Sequence, residues 1–280
     1  MADKIVTTGT RAAATVSEQT AFSRTGEVLR DIARGGIAGA IVGIVVAGLG
    51  GRLLMRLAAI LNADAVGAFT ENGNRIGDIT LGGTLFLIVF GLISGVLAGA
   101  LWVIVGHWIP GRSGVRAFLT AGVAIAIGTP LLIIGSNPDF VILDHDARVV
   151  ALLVALVGLI GLSIALLDGW LDRRLPHALT GRRGPVAFYA IVTLMGAVLV
   201  LPFVLLLFLT SDEYQFPLRT GYALFVVGLC TATGWGLRVR GRVGAPRGLV
   251  IAARGVLVVA VILGVLTSLP HVSRALGVPS

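Results

Sequence analysis

The chain is short of charge. Only 13% of its 280 residues are Asp, Glu, Lys or Arg, while 56% are hydrophobic; an ordinary soluble protein carries about 25% charged residues. A soluble fold of this length must present many residues to water and cannot hide so much apolar surface. Cysteine is nearly missing too: Cys230 stands alone, so an internal disulfide is excluded. Lys4 is the only lysine among 22 basic residues, and the formal charge of +8 rests on arginines gathered between apolar runs. Aromatic residues interleaved with basic ones, which a single-stranded nucleic-acid surface needs, are missing, so no nucleic-acid partner is expected. These shortages place the chain in a lipid bilayer.

Seven apolar stretches follow one another at 35–60, 81–106, 116–135, 149–167, 186–210, 219–237 and 248–269. Each is near the ~20 residues that cross a ~30 Å hydrocarbon core. Lipid offers no partner to an unpaired peptide group, and no alternating barrel pattern is present, so each span is expected to be a helix. The fold class is therefore all-α, an integral membrane bundle of seven transmembrane helices.

The connecting loops alternate in charge. Arg112 and Arg116, then Arg173, Arg174, Arg182 and Arg183, then Arg238, Arg240, Arg242 and Arg247 follow the even-numbered spans. The other loops carry Asp64, Glu71 and Asp78, then Asp139, Asp144 and Asp146, then Asp212 and Glu213. Fifteen basic residues, Lys4 and Arg11 among them, fall on one side against four (Arg75, Arg148, Arg219, Arg274) on the other. The positive-inside rule then puts the N-terminus in the cytoplasm and the C-terminus outside, as in a multi-pass protein of the cell membrane.

Residues 1–16 lack an apolar core, so no secretory signal peptide is expected. Over 25–34, Val28, Leu29 and Ile32 share one helical face while Glu27, Arg30 and Arg34 fall elsewhere. That pattern predicts a juxtamembrane amphipathic helix lying in the interface. The expected division is a cytoplasmic segment over 1–34, disordered before this helix, and a transmembrane domain over 35–280 with an ordered outer loop at 62–80.

Small residues recur every fourth position in the first span at Gly35, Gly39, Gly43, Ala47 and Gly51, and in the second at Gly91, Gly95 and Gly99. Such strips let backbones approach closely, either between these two helices or between copies or partner chains, as a glycine zipper. Pro130 and Pro202 remove backbone donors and are expected to bend their spans.

No Asp, Glu or His lies in the centre of any span. That disfavours a proton relay and a haem held between two histidines; the HExxH zinc motif is missing as well. No cofactor or metal is expected. Three arginines do enter spans. Arg52 and Arg56 share a face near the outer boundary, and three readings are open for them: snorkelling to headgroups, pairing with Glu71 or Asp78, or an anion or lipid-headgroup site. Arg254 lies near the inner boundary, seven residues after Arg247; together they either snorkel or cradle an anionic lipid headgroup.

The outer loop holds Phe69, Glu71, Asn72, Gly73, Arg75, Ile76 and Asp78. Asn72-Gly73 is a two-residue turn signal that pairs Phe69 with Ile76 across a small hairpin. Glu71, Arg75 and Asp78 are its candidate site residues, over Arg52; a connector without a ligand is the plainer reading. Together with Gly50-Gly51-Arg52 before it and Gly82-Gly83-Thr84 after it, this loop resembles an uncharacterised family of bacterial multi-pass membrane proteins. The resemblance covers roughly residues 35–105 and implies no activity.

Asp168 and Asp172 stand at i,i+4 after the fourth span, a spacing that can hold Mg²⁺ for a diphosphate substrate. The Ala-Arg and second acidic pair of CDP-alcohol-type transferases do not follow, so a solvated helix end with Asp172 beside Arg173 is expected. Gly91-Leu92-Ile93-Ser94-Gly95 misses the rhomboid serine spacing by one residue. Thr231, Thr233 and Trp235 make the sixth span the least apolar, suited to interhelical packing or to a pore wall. The functional expectation is a non-enzymatic transport component or accessory subunit in contact with the bilayer and anionic lipid. A lipid-phosphate enzyme built on the aspartate pair is the alternative.

Overall fold

The computed structural model describes residues 3–70, 73, 75–178, 183–209 and 218–278, with side chains from residue 21 onward except at 203, 206–208 and 218. Helices account for nearly all of it: α1 (Asp3–Val42), a π-helical segment (Gly43–Leu49), α2 (Gly50–Leu61), α3 (Leu81–Val105), α4 (Ser113–Leu132), the short α5 (Asp139–Ile142), α6 (Ala147–Arg174), α7 (Arg183–Leu209), α8 (Leu218–Val239) and α9 (Arg247–Ala275). Among the described residues there is no strand, only a Phe69–Arg75 bridge. Seven helices among the described residues are long and apolar enough to cross a membrane. Large side chains such as Leu85, Phe86, Leu194, Met195, Val198 and Ile251 lie on the outside, which suits a lipid solvent and not water.

Contacts sort the turns into two ends. At one, Arg24 reaches the Val239 carbonyl and Arg254 that of Trp108. This arginine-rich end gathers the start of α1, the α3–α4 and α8–α9 turns and the end of α6. At the other, Asp146 caps α6 and accepts from the Asn62 amide at 3.1 Å, tying α2 to α6. Hydrogen bonds from Arg148 and from Asn62 hold the Asp146 carboxyl down at about 2.

Segment 25–34 departs from expectation. It is helical, but it continues without a break into the first span, giving an apolar-to-charged helix over Ala21–Leu61. At 1.5 Å per residue those 41 residues reach about 60 Å, twice a hydrocarbon core. Its charged face turns inward: Glu27, Arg30 and Asp31 are buried, because carboxylates and guanidinium groups on neighbouring helices answer them.

The first two spans run antiparallel with their backbones nearly touching. A Cβ on Gly39 would press on the Gly95 carbonyl and lie 2.8 Å from the Gly99 Cα; one on Gly43 would press on the Gly91 carbonyl and lie 2.8 Å from the Gly95 Cα. Gly35 meets Val103 and Gly99. Beyond Gly43 the strip changes step. The π-helical turns carry an i→i+5 spacing, so Gly48 and not Ala47 comes next, where an added Cβ would lie 3.0 Å from the Ile88 Cα, while a Cβ on Gly51 would meet nothing within 4 Å.

The remaining helices close around this pair. α4 lies on α6, where Gly161 faces Thr120 and Ala121, and on α9, where Gly264 faces Ala126. Pro130 supplies no N–H to the carbonyl four residues back, that of Ala126; the Ser268 hydroxyl of α9 donates to it at 3.4 Å. Tyr189 of α7 is fully buried against α1 and donates to the Pro176 carbonyl at 2.6 Å. The core holds Ala38, Val42, Trp102, Trp108, Ile164, Val227 and Leu257.

Gly39→Ala should destabilise the protein by about 1–3 kcal/mol, the usual cost of overpacking, because backbone and not a flexible side chain stands in the way. Gly51→Ala should be neutral. Thermal denaturation of both variants in detergent checks the contrast.

Candidate functional site at the arginine-rich end

Glu27, Arg30, Asp31 and Arg34 recur at three- and four-residue steps, so they form one stripe along α1. Asp168 and Asp172 do the same at the end of α6. The two stripes meet. Arg34 donates through Nε to Asp168 Oδ1 at 2.6 Å, donates through Nη1 to Asp172 Oδ1, and stands 3.7 Å from Asp31 Oδ1. Arg30, only 2% exposed, donates to Asp172 Oδ1 at 2.9 Å and to the carbonyls of Asp172 and Leu175 at 2.6 and 3.1 Å. Those carbonyls close the C-terminus of α6, where a helix leaves its acceptors unpaired and concentrates negative charge.

The flanks are tied as well. Glu27 accepts from the Ala178 N–H at 2.6 Å and lies 3.4 Å from His177 Nδ1. Asp31 accepts from Arg238 of α8 at 2.7 Å and faces His107 Nε2 at 3.9 Å. Burial pushes the His107 imidazole below its ordinary range, with Asp31 opposing that shift. Arg116 of α4 stacks on Trp102, 4.9 Å from the ring centre, and donates to the Gly106 carbonyl.

Together these side chains wall a chamber of about 460 Å³ between α1, α3, α4, α6 and α8, within the size range of small-ligand sites. Its lining includes Arg30, Arg34, Arg116 and Arg238 against Glu27, Asp31, Asp168 and Asp172. Four guanidinium groups thus face four carboxylates across the chamber. Ionisable groups gathered inside a membrane bundle are costly unless paired, and they mark working sites more often than structural ones.

Asp168 is therefore not part of a solvated helix end, being 5% exposed and paired with Arg34, whereas Asp172 is half exposed with its Oδ1 held by Arg30 and Arg34 of α1. The Mg²⁺ reading fits the geometry no better, since the Oδ1 atom of each is taken by Arg34. The signal for this cluster was the charge stripe on α1, which local amphipathicity assigned to the outside.

The outer residues assemble differently. Arg52 donates to the Asp78 carbonyl at 2.9 Å and Arg56 to the Gly77 carbonyl at 3.1 Å, so among the described residues both arginines hold the loop backbone and neither pairs with the Asp78 carboxylate. Glu71 lies outside the described residues. Arg75 sits over the Phe69 ring at 5.2 Å. The hairpin pairing is shifted by one: Phe69 bridges Arg75, and the Ile76 N–H donates to Ala68. The Gly73 N–H closes the turn on Thr70, with Gly73 at φ +72°, in the left-handed region that favours glycine.

At the basic end, Arg254 donates to the Trp108 carbonyl at 3.1 Å, while Arg247 is exposed at the start of α9. Thr231 links helices, accepting from Trp108 Nε1 and donating to the Ile104 carbonyl, both at 2.8 Å. Among the described residues Thr233 bonds only within its own helix, to the Leu229 carbonyl, and it faces outward.

Arg34→Gln should cost about 3–5 kcal/mol, the range for breaking a buried ion pair, since it strands Asp168. Arg56→Gln, on the same continuous helix but exposed and bonded to one carbonyl, should cost about 1 kcal/mol or less. Reversible unfolding in mixed micelles compares them.

No protein-family model, curated protein or solved structure matches this chain.

Proposed function

We propose that this multi-pass membrane protein is non-enzymatic and serves as a transport component or accessory subunit of the cell membrane, working through the chamber at its arginine-rich end. The loop charges support an orientation with that end and the N-terminus in the cytoplasm and the C-terminus outside. The bacterial resemblance of the outer-loop region is compatible with that placing and adds no activity.

The observation that carries this reading is the chamber itself. Its carboxylates are engaged by arginines from α1 and α8, an arrangement suited to binding or gating. Exposed Arg247, and Arg254 with its remaining donors, flank the same end and suit anionic headgroups, each basic side chain near a charged leaflet contributing about 1 kcal/mol. The glycine strip is used within the chain, so assembly with partners is assigned to the broad outer faces of α7 and α8 rather than to Gly39 or Gly43.

Native mass spectrometry of the full chain, released from mild detergent with Mg²⁺ present, tests this. Retained anionic phospholipid that falls in the Arg247→Gln/Arg254→Gln double variant is the expected result. A bound magnesium ion that disappears in Asp172→Asn would overturn it in favour of an enzyme acting on lipid-linked phosphates.

A further inference from the structure

Three of the four arginines in the chamber wall are pinned to carboxylates: Arg30 to Asp172, Arg34 to Asp168 and Asp172, Arg238 to Asp31. Arg116 is the exception. Among the described residues it forms no ion pair; its plane rests on the Trp102 ring, one Nη holds the Gly106 carbonyl, and its buried Nε has no hydrogen-bond partner. A guanidinium fixed in this way has little rotamer freedom left to lose and presents planar donors suited to an oxyanion.

A carboxylate is spare in the same chamber. Asp172 is the most open of its four acids, with its side chain half exposed. Both arginine contacts fall on Oδ1, and Oδ2 accepts no hydrogen bond from the described residues.

We propose that the chamber binds a small zwitterion of the phosphoethanolamine class, its phosphate on Arg116 and its primary ammonium on Asp172 Oδ2. The charge balance of the wall selects this class. With four arginines against four acids, a bare anion or a bare cation would leave its whole charge uncompensated in a partly dehydrated space, which is costly; a ligand carrying both signs leaves less, and none where its phosphate is a singly charged diester. Three N–H donors on a primary ammonium suit a carboxylate oxygen, whereas a quaternary headgroup has none to offer. The chamber lies at the end of the bundle where phospholipid headgroups lie, so the same chemistry is available from phosphatidylethanolamine or from the free solute. This assignment deepens the proposal of a working chamber, and it is read by binding alone, with neither a magnesium signal nor anionic-lipid retention involved.

The test is ligand-dependent thermal stabilisation of the full chain. One arm uses detergent with free phosphoethanolamine, inorganic phosphate or ethylamine; the other uses nanodiscs of phosphatidylcholine with and without phosphatidylethanolamine. Phosphoethanolamine should bind at least tenfold more tightly than inorganic phosphate or ethylamine, and Arg116→Gln should weaken it at least tenfold while remaining folded, as judged by a cooperative ligand-free melting transition. Stabilisation confined to phosphatidylethanolamine discs and lost in Arg116→Gln equally supports the site and identifies the lipid as its source. Asp172→Asn serves as a second variant, and should lose the preference for phosphoethanolamine over phosphate. Inorganic phosphate or ethylamine binding as tightly as the zwitterion overturns the proposal. So does the absence of stabilisation in both arms, or unchanged binding by a folded Arg116→Gln.

Discussion

A guanidinium group near the edge of a hydrocarbon layer must be answered by negative charge, and Arg34 is answered by three carboxylates from two helices. That requirement organises one whole end of the molecule. Asp168 and Asp172 bring the end of α6 onto α1, and Asp31 brings Arg238 and with it the end of α8. Arg30 completes the junction by closing the carbonyls that α6 leaves open. Removing any one partner leaves buried charge behind, so the cluster behaves as a unit and its members are not interchangeable with apolar residues one at a time.

Glycine supplies the complementary constraint deeper in the bundle. Hydrocarbon gives no hydrophobic drive to associate helices, so contact has to come from close packing. Gly39, Gly43, Gly95 and Gly99 provide it by exposing backbone to backbone. The approach fixes how α1 and α3 lie, and Trp102 and Arg116 take their places on the chamber wall from that frame. The π-helical turns after Gly43 then rotate the chain enough for Gly48 to continue the strip.

Much of the architecture was legible in the residues. Seven apolar runs gave seven helices because length and hydropathy suffice when the solvent is lipid, and Gly35, Gly39 and Gly43 were visible from their spacing alone. The step to Gly48 was not, since a π-helical turn leaves no mark in a regular i+4 pattern. The outer hairpin was legible as a turn but not in register, which depends on Gly73 and its left-handed backbone. The charged chamber was the largest gap. Local periodicity shows that Glu27, Arg30, Asp31 and Arg34 share a face, but whether that face meets water or Asp168 is decided by a contact 134 residues away. Arg116 was likewise read as a loop charge, although Trp102 and the chamber claim it.

The most direct measurement is a double-mutant cycle between Arg34 and Asp168, using Arg34→Gln, Asp168→Asn and the pair, in reversible unfolding from mixed micelles. Residues sharing one ion-pair network couple by about 0.5–3 kcal/mol, and a favourable coupling of at least about 1 kcal/mol is expected here. Additivity within about 0.3 kcal/mol, the behaviour of distant sites, would contradict the junction of α1 with α6 on which the chamber depends.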